Sequence, residues 1–375
     1  MKVGVPKEIV VGENRVALVP DAVGLLRKAG LQILFESGAG EGAFFPDRAY
    51  EAAGATIVSD PVALLTEADV VLKVQTPVLN PNLGKHEVEL IRERAALISF
   101  LQPLSDPDLV NRLAERKITS FSMDRIPRIA RAQKMDVLSS QSTVAGYKAV
   151  LTAASSLGKF FPMLVTAAGT IPPARVLVLG AGVAGLQAIA TARRLGAIVQ
   201  AYDIRPAVKE QVESLGGIFL GLDLVGENTE DASGYAEVLS AESQKREKVL
   251  LRRHVPEADI VITTALIPGK RAPVLITAEM VQDMKAGSVI VDLAAEMGGN
   301  CELTEPGSVV TRHGVTIQGP LNVPSTMPVH ASQMYSKNIS SFLLQLVRNG
   351  KLELDFNDPI TNDTCITHEG RVRQQ

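Results

Sequence analysis

The stretch RIARAQKMDVLSSQS, Arg128 to Ser142, places two arginines, two glutamines, a lysine, an aspartate and three serines within fifteen residues. That is the polar density of a site that grips a polar or charged ligand. It holds neither histidine nor cysteine, so it carries no side chain that titrates near neutrality and no thiol nucleophile. Composition alone also allows a plainer reading. Asp136 would then be the N-cap of the helical pattern that starts right after it. Arg128 and Arg131 would be solvated charges on a linker between domains.

A second constellation is more specific. RVLVLGAGVAGLQAIATARRLGA contains Gly180, Gly182 and Gly185 in the spacing G-x-G-x-x-G, directly after a strand pattern and at the opening of a helix. An acidic residue, Asp203, follows 18 positions after Gly185. Strand, glycines, helix and acid together form the dinucleotide-binding fingerprint. Gly180 permits the tight turn, Gly182 lets backbone approach a pyrophosphate, and Gly185 lets helix and strand pack closely. The phosphates lie on free N–H groups at the positive end of the helix. Asp203 accepts hydrogen bonds from a ribose diol and repels a 2′-phosphate, which favours NAD over NADP. Arg205, two residues on, complicates that preference, because a guanidinium there welcomes such a phosphate. Val183 and Ile204 adjoin these positions and join the cofactor-binding candidates. ITTALIPGKRAPVLIT begins where a strand should end, so Thr263, Thr264, Ala265 and Leu266 are expected to wall the same pocket.

The elements that position these residues are legible as patterns. VGVP, LQILFE, DVVLKVQ and ALISFL read as strands, and between them DAVGLLRKAG reads as a helix capped by Asp21 and DPVALLTEA as one capped by Asp60. Strands alternating with helices imply parallel βαβ units. Asp136 to about Leu157 reads as a long helix that leads into the glycine fingerprint. Strands follow at ADIVITT and GSVIVDLA. DLVGENTEDASGY (223–235) reads as a mobile loop. From His330 the chain is helical again and ends in a short polar tail. The expected fold class is α/β: two Rossmann-like domains with parallel sheets, joined by long helices, with a cleft between them. The first domain takes residues 1–134 plus a returning segment 330–375; the NAD(H)-binding domain takes 135–329.

Bulk properties narrow the function classes. With 375 residues, 46% of them hydrophobic and 21% charged, the chain is an ordinary globular protein of about two domains. A net charge of −3 without a basic stripe argues against a nucleic-acid partner. Cys301 and Cys365 build no disulfide framework, which points to a reducing cytoplasm. No apolar run reaches the length of a transmembrane helix, so direct membrane insertion is not expected. The five histidines, His86, His254, His313, His330 and His368, stand in surface-looking contexts without metal-ligand spacing. None is assigned a catalytic role, and no metal is expected.

Four segments carry a resemblance to a known family. GVPKEIVVGENRVALVP, RIARAQKMDVLSSQSTVAGYKAV, TAAGTIPPARVLVLGAGVAGLQAIATARRLGA and DLAAEMGGNCELTEPG together closely resemble the NAD(H)-binding component of proton-translocating nicotinamide nucleotide transhydrogenases. This is domain I, the separate alpha-1 subunit where the enzyme is split. The resemblance covers essentially the whole chain. It implies that NADH bound here passes a hydride directly to NADP held by an NADP(H)-binding partner subunit, while a membrane-spanning partner subunit couples the transfer to proton translocation. It also implies a homodimer, cytoplasmic and peripheral to the inner membrane through its partners. A chain ending at 375 without membrane segments fits that separate subunit. By matching motifs, the family's nicotinamide-proximal residues fall on Arg128, Gln133, Asp136 and Ser139. Its mobile-loop glycine–tyrosine pair falls on Gly234 and Tyr235.

Alanine dehydrogenases share the layout and the start, GVPKE…RVAL, and are the alternative reading. An amino-acid dehydrogenase moves a proton as well as a hydride and requires an acid/base group. Where alanine dehydrogenases carry a histidine, this chain has Gln102, which cannot titrate. Glu296, in AEMGGN, replaces their aspartate with a side chain one methylene longer. Lys73 and Arg15 survive at substrate-binding positions, either as relics of shared ancestry or as structural partners of carboxylates. A third class, an inert NAD sensor, needs only the glycine turn and Asp203 and leaves the dense Arg128–Ser142 stretch without a purpose.

Overall fold

The computed structural model describes residues 1–222, 240–267 and 270–373; Gly234, Tyr235 and the 223–235 loop expected from the sequence lie outside them. Two compact units result, one of Met1–Gln141 with Pro324–Gln375 and the other of Ser142–Val323.

The first unit is built on an eight-stranded sheet. Its six N-terminal strands, Lys2–Val5, Gln32–Glu36, Thr56–Val58, Val70–Leu72, Ala96–Ser99 and Thr119–Ser122, all pair in parallel. The tail is not a polar extension. Cys365–His368 pairs antiparallel with Thr119–Ser122, and Arg371–Val372 covers that strand in turn. Thr367 draws the edge together, sharing a hydrogen bond with Ser120 Oγ at 2.7 Å and donating to the Ile118 carbonyl at 2.7 Å. The first helix also differs from expectation. It starts at Pro20 with Val19 as N-cap, and no side chain caps it. The fixed φ of proline presets the first turn, while Asp21 sits inside that turn and faces the positive end of the dipole. Asp60 does cap the helix Pro61–Glu67, accepting from the Val62 N–H at 2.9 Å.

The second unit carries a seven-stranded sheet in the order Ile218–Leu220, Ile198–Tyr202, Arg175–Leu179, Ile260–Thr263, Val289–Asp292, Val315–Gln318, Val309–Arg312. Only the last pair is antiparallel. The central strands RVLVL, IVIT and VIVD are apolar along their length because helices cover both faces. The chain order reverses direction at Arg175–Leu179, which is flanked by Ile198–Tyr202 on one side and Ile260–Thr263 on the other. The carboxyl ends of diverging strands leave a crevice at such a point, and open α/β sheets bind ligands there. No helix among the described residues is long and apolar enough to cross a membrane.

The first unit also settles the place of Lys73 and Arg15, since both are spent on carboxylates of the chain itself. Lys73, fully buried, puts Nζ 2.7 Å from Glu87 Oε1 and 3.3 Å from Glu8 Oε2. Arg15 donates through Nε and Nη2 to the two oxygens of Glu13 at 2.8 and 2.7 Å, and through Nη1 to Gln141 Oε1 at 2.8 Å. Burial pushes the Glu8 carboxyl above its ordinary range, with Lys73 opposing the shift only in part.

Lys73→Met leaves two buried carboxylates without a cation and is expected to cost about 3–5 kcal/mol in urea unfolding. Glu8→Gln keeps the Lys73–Glu87 pair and should cost far less. Because the folded state raises the Glu8 value, its contribution is full below the ordinary carboxylate range and is lost as pH rises through the raised value. Urea melts between about pH 4 and about pH 8 should therefore show the native chain losing ground to Glu8→Gln as pH rises. Parallel curves would show that ionising Glu8 costs the fold nothing.

Candidate nucleotide-binding site

The glycine fingerprint is built where the sheet order reverses. Leu179 ends its strand and Gly180 turns the chain with φ +96°, a left-handed value that a side chain resists. The Gly180 carbonyl accepts the Thr264 hydroxyl at 2.9 Å, so the two diverging strands are tied at their carboxyl ends. Helix Val183–Arg194 then starts, with Gly182 as N-cap. A Cβ on Gly185 would lie 1.8 Å from the Gly180 carbonyl oxygen, so the helix packs directly against backbone. A Cβ on Gly182 would meet nothing nearer than Arg205 Nη2 at 4.0 Å. The close approach therefore falls at Gly185, and the open face falls at Gly182, where the sequence pattern puts the phosphates. Val183, the first helical residue, is exposed beside it.

Asp203 sits just beyond the end of the neighbouring strand, buried, and accepts the Ala181 N–H at 2.7 Å. It thereby fixes the glycine turn from the side. Arg205 closes on the same carboxylate through Nε and Nη2, at 2.9 and 2.8 Å. Ile204 is half-buried against the apolar layer of Leu177, Leu179 and Tyr202. Tyr202 donates its hydroxyl to Glu247 Oε1 at 2.8 Å and links helix Ala241–His254 to the strand that presents Asp203. Burial raises the Glu247 carboxyl. A glycine loop with open space, a helix N-terminus and an acid at the adjacent strand end fit a dinucleotide.

The second strand end is organised by residues the motifs do not reveal. Ala265 bonds reciprocally with Asn300: its N–H donates to Oδ1 at 3.0 Å, and its carbonyl accepts from Nδ2 at 2.9 Å. Thr263 is fully buried and donates to Asp292 Oδ1 at 2.7 Å, whereas Leu266 is exposed. Thus Thr264 and Ala265 line the turn while Thr263 is turned into the core. Asp292 was signalled only by being an acid at the end of the apolar strand VIVD. Gly146 gives no sequence signal, yet a Cβ on it would lie 2.0 Å from the Ala184 carbonyl oxygen.

The Arg128–Ser142 stretch lies in the first unit as far as Gln141, as a 3-10 helix Ala130–Met135 followed by helix Val137–Ser156. Arg128 and Gln133 are exposed. Asp136 caps the helix: Oδ1 accepts the Ser139 N–H at 2.9 Å and Oδ2 the Ser139 hydroxyl at 2.5 Å. Asp136 and Ser139 are therefore brought together. Arg131 is not a merely solvated charge, since its guanidinium forks onto both oxygens of Asp358 and lowers that carboxyl, chiefly through the hydrogen bonds. Gln102 is exposed with φ +45°, and Glu296 Oε1 accepts the Asn322 N–H at 2.6 Å. His86, His254 and His368 are half-buried rather than superficial, and His86 caps a short helix through the Val88 N–H.

Comparison with known proteins agrees with this arrangement. The family model described as "Alanine dehydrogenase/PNT, N-terminal domain" matches residues 4–145, and its C-terminal counterpart matches 149–375. The first portion of the split NAD(P) transhydrogenase subunit alpha of Rhodospirillum rubrum is 51% identical over 375 residues, covering 99% of this chain and 97% of that protein. Alanine dehydrogenase 2 of Staphylococcus aureus is 30% identical, covering 99% of this chain and 94% of that protein. The crystal structure of transhydrogenase from Sinorhizobium meliloti superposes with a TM-score of 0.86 at 42% identity, over 99% of this chain and 98% of that one.

The two glycines should respond differently to alanine. Gly182→Ala has room in the folded chain and should melt near the native temperature, yet bind NADH at least about tenfold more weakly because its methyl stands where phosphate must approach. Gly185→Ala drives a methyl into backbone and should lose about 1–3 kcal/mol of stability. Thermal melts with NADH fluorescence titrations decide this; equal melting of the two variants would contradict the geometry.

Proposed function

Since the chain belongs to the alanine dehydrogenase/PNT family, we propose that it is the NAD(H)-binding subunit of a proton-translocating NAD(P) transhydrogenase, an oxidoreductase of the Re/Si-specific translocase type. Its role is to present NADH for direct hydride transfer to NADP+ held on a partner subunit. The observation that carries this reading is the full-length 51% identity to a transhydrogenase subunit, against 30% to an alanine dehydrogenase. Gln102 supports it further, because a proton-moving dehydrogenase requires a titratable group where this chain offers an amide.

NADH, when bound, supplies the hydride; the chain supplies grip, orientation and exclusion of water. Gly182 and the N-terminus of helix Val183–Arg194 receive the pyrophosphate, and Asp203 receives the adenosine ribose. Exposed Gln133 and Arg128 contact the nicotinamide ribose or carboxamide. The mutually bonded Asp136 and Ser139 orient that carboxamide. Gly234 and Tyr235 close over the nucleotide. No proton need be abstracted at the reacting carbons, which suits a polar stretch devoid of histidine. The partners are an NADP(H)-binding subunit and a membrane-spanning subunit that couples transfer to proton movement, and they hold the chain at the cytoplasmic side of the inner membrane.

Gln133→Asn should depress hydride transfer to a partner-bound NADP+ by about tenfold or more while NADH affinity changes little. Unchanged turnover would remove Gln133 from this role. The native chain with NADH, pyruvate and ammonia should stay silent, whereas oxidation of NADH there would favour the dehydrogenase reading.

A homodimer is the expected state. The hairpin of Leu164–Thr166 and Gly169–Ile171 is a candidate face, since Val165 is 78% exposed and Met163 59% exposed. Val165→Asp should shift light-scattering mass from dimer toward monomer; an unaltered dimer would place the interface elsewhere.

A further inference from the structure

Every acceptor site on Asp203 is occupied. An ionised carboxylate offers about four lone-pair sites. Here Oδ1 takes the Arg205 backbone N–H and Arg205 Nε, each at 2.9 Å. Oδ2 takes the Ala181 N–H at 2.7 Å and Arg205 Nη2 at 2.8 Å. Two of these donors are backbone groups that belong to the turn itself. The other two come from a single guanidinium, one to each oxygen. A vicinal diol that donates both hydroxyls to a carboxylate needs those same two sites, one on each oxygen. The arginine fork and the ribose diol are therefore rivals for one seat.

We propose that Arg205 is an internal competitor for the nucleotide: its guanidinium fills the ribose-diol seat on Asp203 and must swing off before an adenosine ribose is seated. This specificity-determining role rests on the NAD(H) reading given above. The side chains of Arg205 and Asp203 are only 15% and 5% exposed, so water does not weaken their pairing much and the exchange is a swap of one bidentate partner for another. The destination of the released cation is close at hand. Arg205 Nη2 lies 4.0 Å from the Cβ position of Gly182, beside the open face of the glycine turn. An arginine that leaves Asp203 there meets the negative charge of the incoming diphosphate. The diol is thus admitted together with a diphosphate far more readily than alone, and an uncharged nucleoside lacks the anion that draws the arginine off.

The test compares ADP with 2′-deoxy-ADP, which keeps the diphosphate but lacks the diol, by calorimetric titration of the full-length chain. Arg205→Ala empties the seat. It is expected to bind ADP about tenfold more tightly than the native chain, the order of one charge-assisted hydrogen bond released. For 2′-deoxy-ADP the gain should stay under about twofold, since one hydroxyl cannot fill both sites. Arg205→Lys preserves the charge but has no fork, and should shift ADP affinity in the same direction by a smaller factor. Adenosine alone should bind the native chain poorly and gain from Arg205→Ala at least as much as ADP does. Unchanged or weaker ADP binding in Arg205→Ala, or an equal gain with 2′-deoxy-ADP, overturns the proposal while NADH binding by the native chain leaves the functional reading intact. A native chain that binds neither NADH nor ADP removes both.

Discussion

The nucleotide site depends on how closely one helix can approach the backbone around it. Helix Val183–Arg194 lies against the Gly180 carbonyl at a distance that leaves no room for a methyl at Gly185. Its first turn is pressed from another side, where Gly146 of helix Val137–Ser156 touches the Ala184 carbonyl with equally little space. Two missing side chains, far apart in sequence, thus set the position of one helix start. Because that start carries unpaired N–H groups and the positive end of a dipole, its placement to within a few tenths of an ångström decides where an anion can sit. The Thr264 hydroxyl on Gly180 and the Ala181 N–H on Asp203 then hold the turn from its two flanks.

What the sequence revealed follows the range of the interaction that mattered. The glycine turn, the Asp60 cap and the Asp136 cap are contacts between residues a few positions apart, and the local pattern carries them. The tail strand Cys365–His368 looks polar and short because its pairing partner, Thr119–Ser122, is some two hundred and fifty positions away. Arg131 looks like a solvated charge for the same reason, its partner being Asp358. Asp21 misled in the opposite way: the residue type suits a cap, but Pro20 had already fixed the turn. In the candidate site, Gly180, Gly185 and Asp203 were readable, whereas Asn300 and Asp292 became visible only once distant strands were laid side by side.

The charged residues of the first unit show why retained cations are weak signs of retained chemistry. Lys73 and Arg15 stand where a keto acid's carboxylate would be welcome, but Glu8, Glu13 and Glu87 already satisfy them. Removing a cation from such a group strands the buried carboxylates, so the residues are held in place by the fold whatever substrate the chain uses. Their survival therefore carries little weight in choosing between the two activities of the family. Gln102 carries more, because nothing in its exposed position requires an amide.

The same distinction separates the two aspartates at the strand ends. Asp292 is fully buried and receives five donors, all uncharged: the Thr263 and Thr304 hydroxyls and the N–H groups of Ala294, Asn300 and Cys301. Each donor is fixed by the backbone or by a short side chain, and none can leave without unfolding its loop. That carboxylate is a structural knot. Asp203 has two such fixed donors, and its remaining bonds come from the long, rotatable side chain of Arg205. A ligand can replace a guanidinium on a flexible stem, but it cannot replace a backbone N–H. The difference between a carboxylate that holds the fold and one that can serve a ligand thus lies in the freedom of its donors, since burial is common to both.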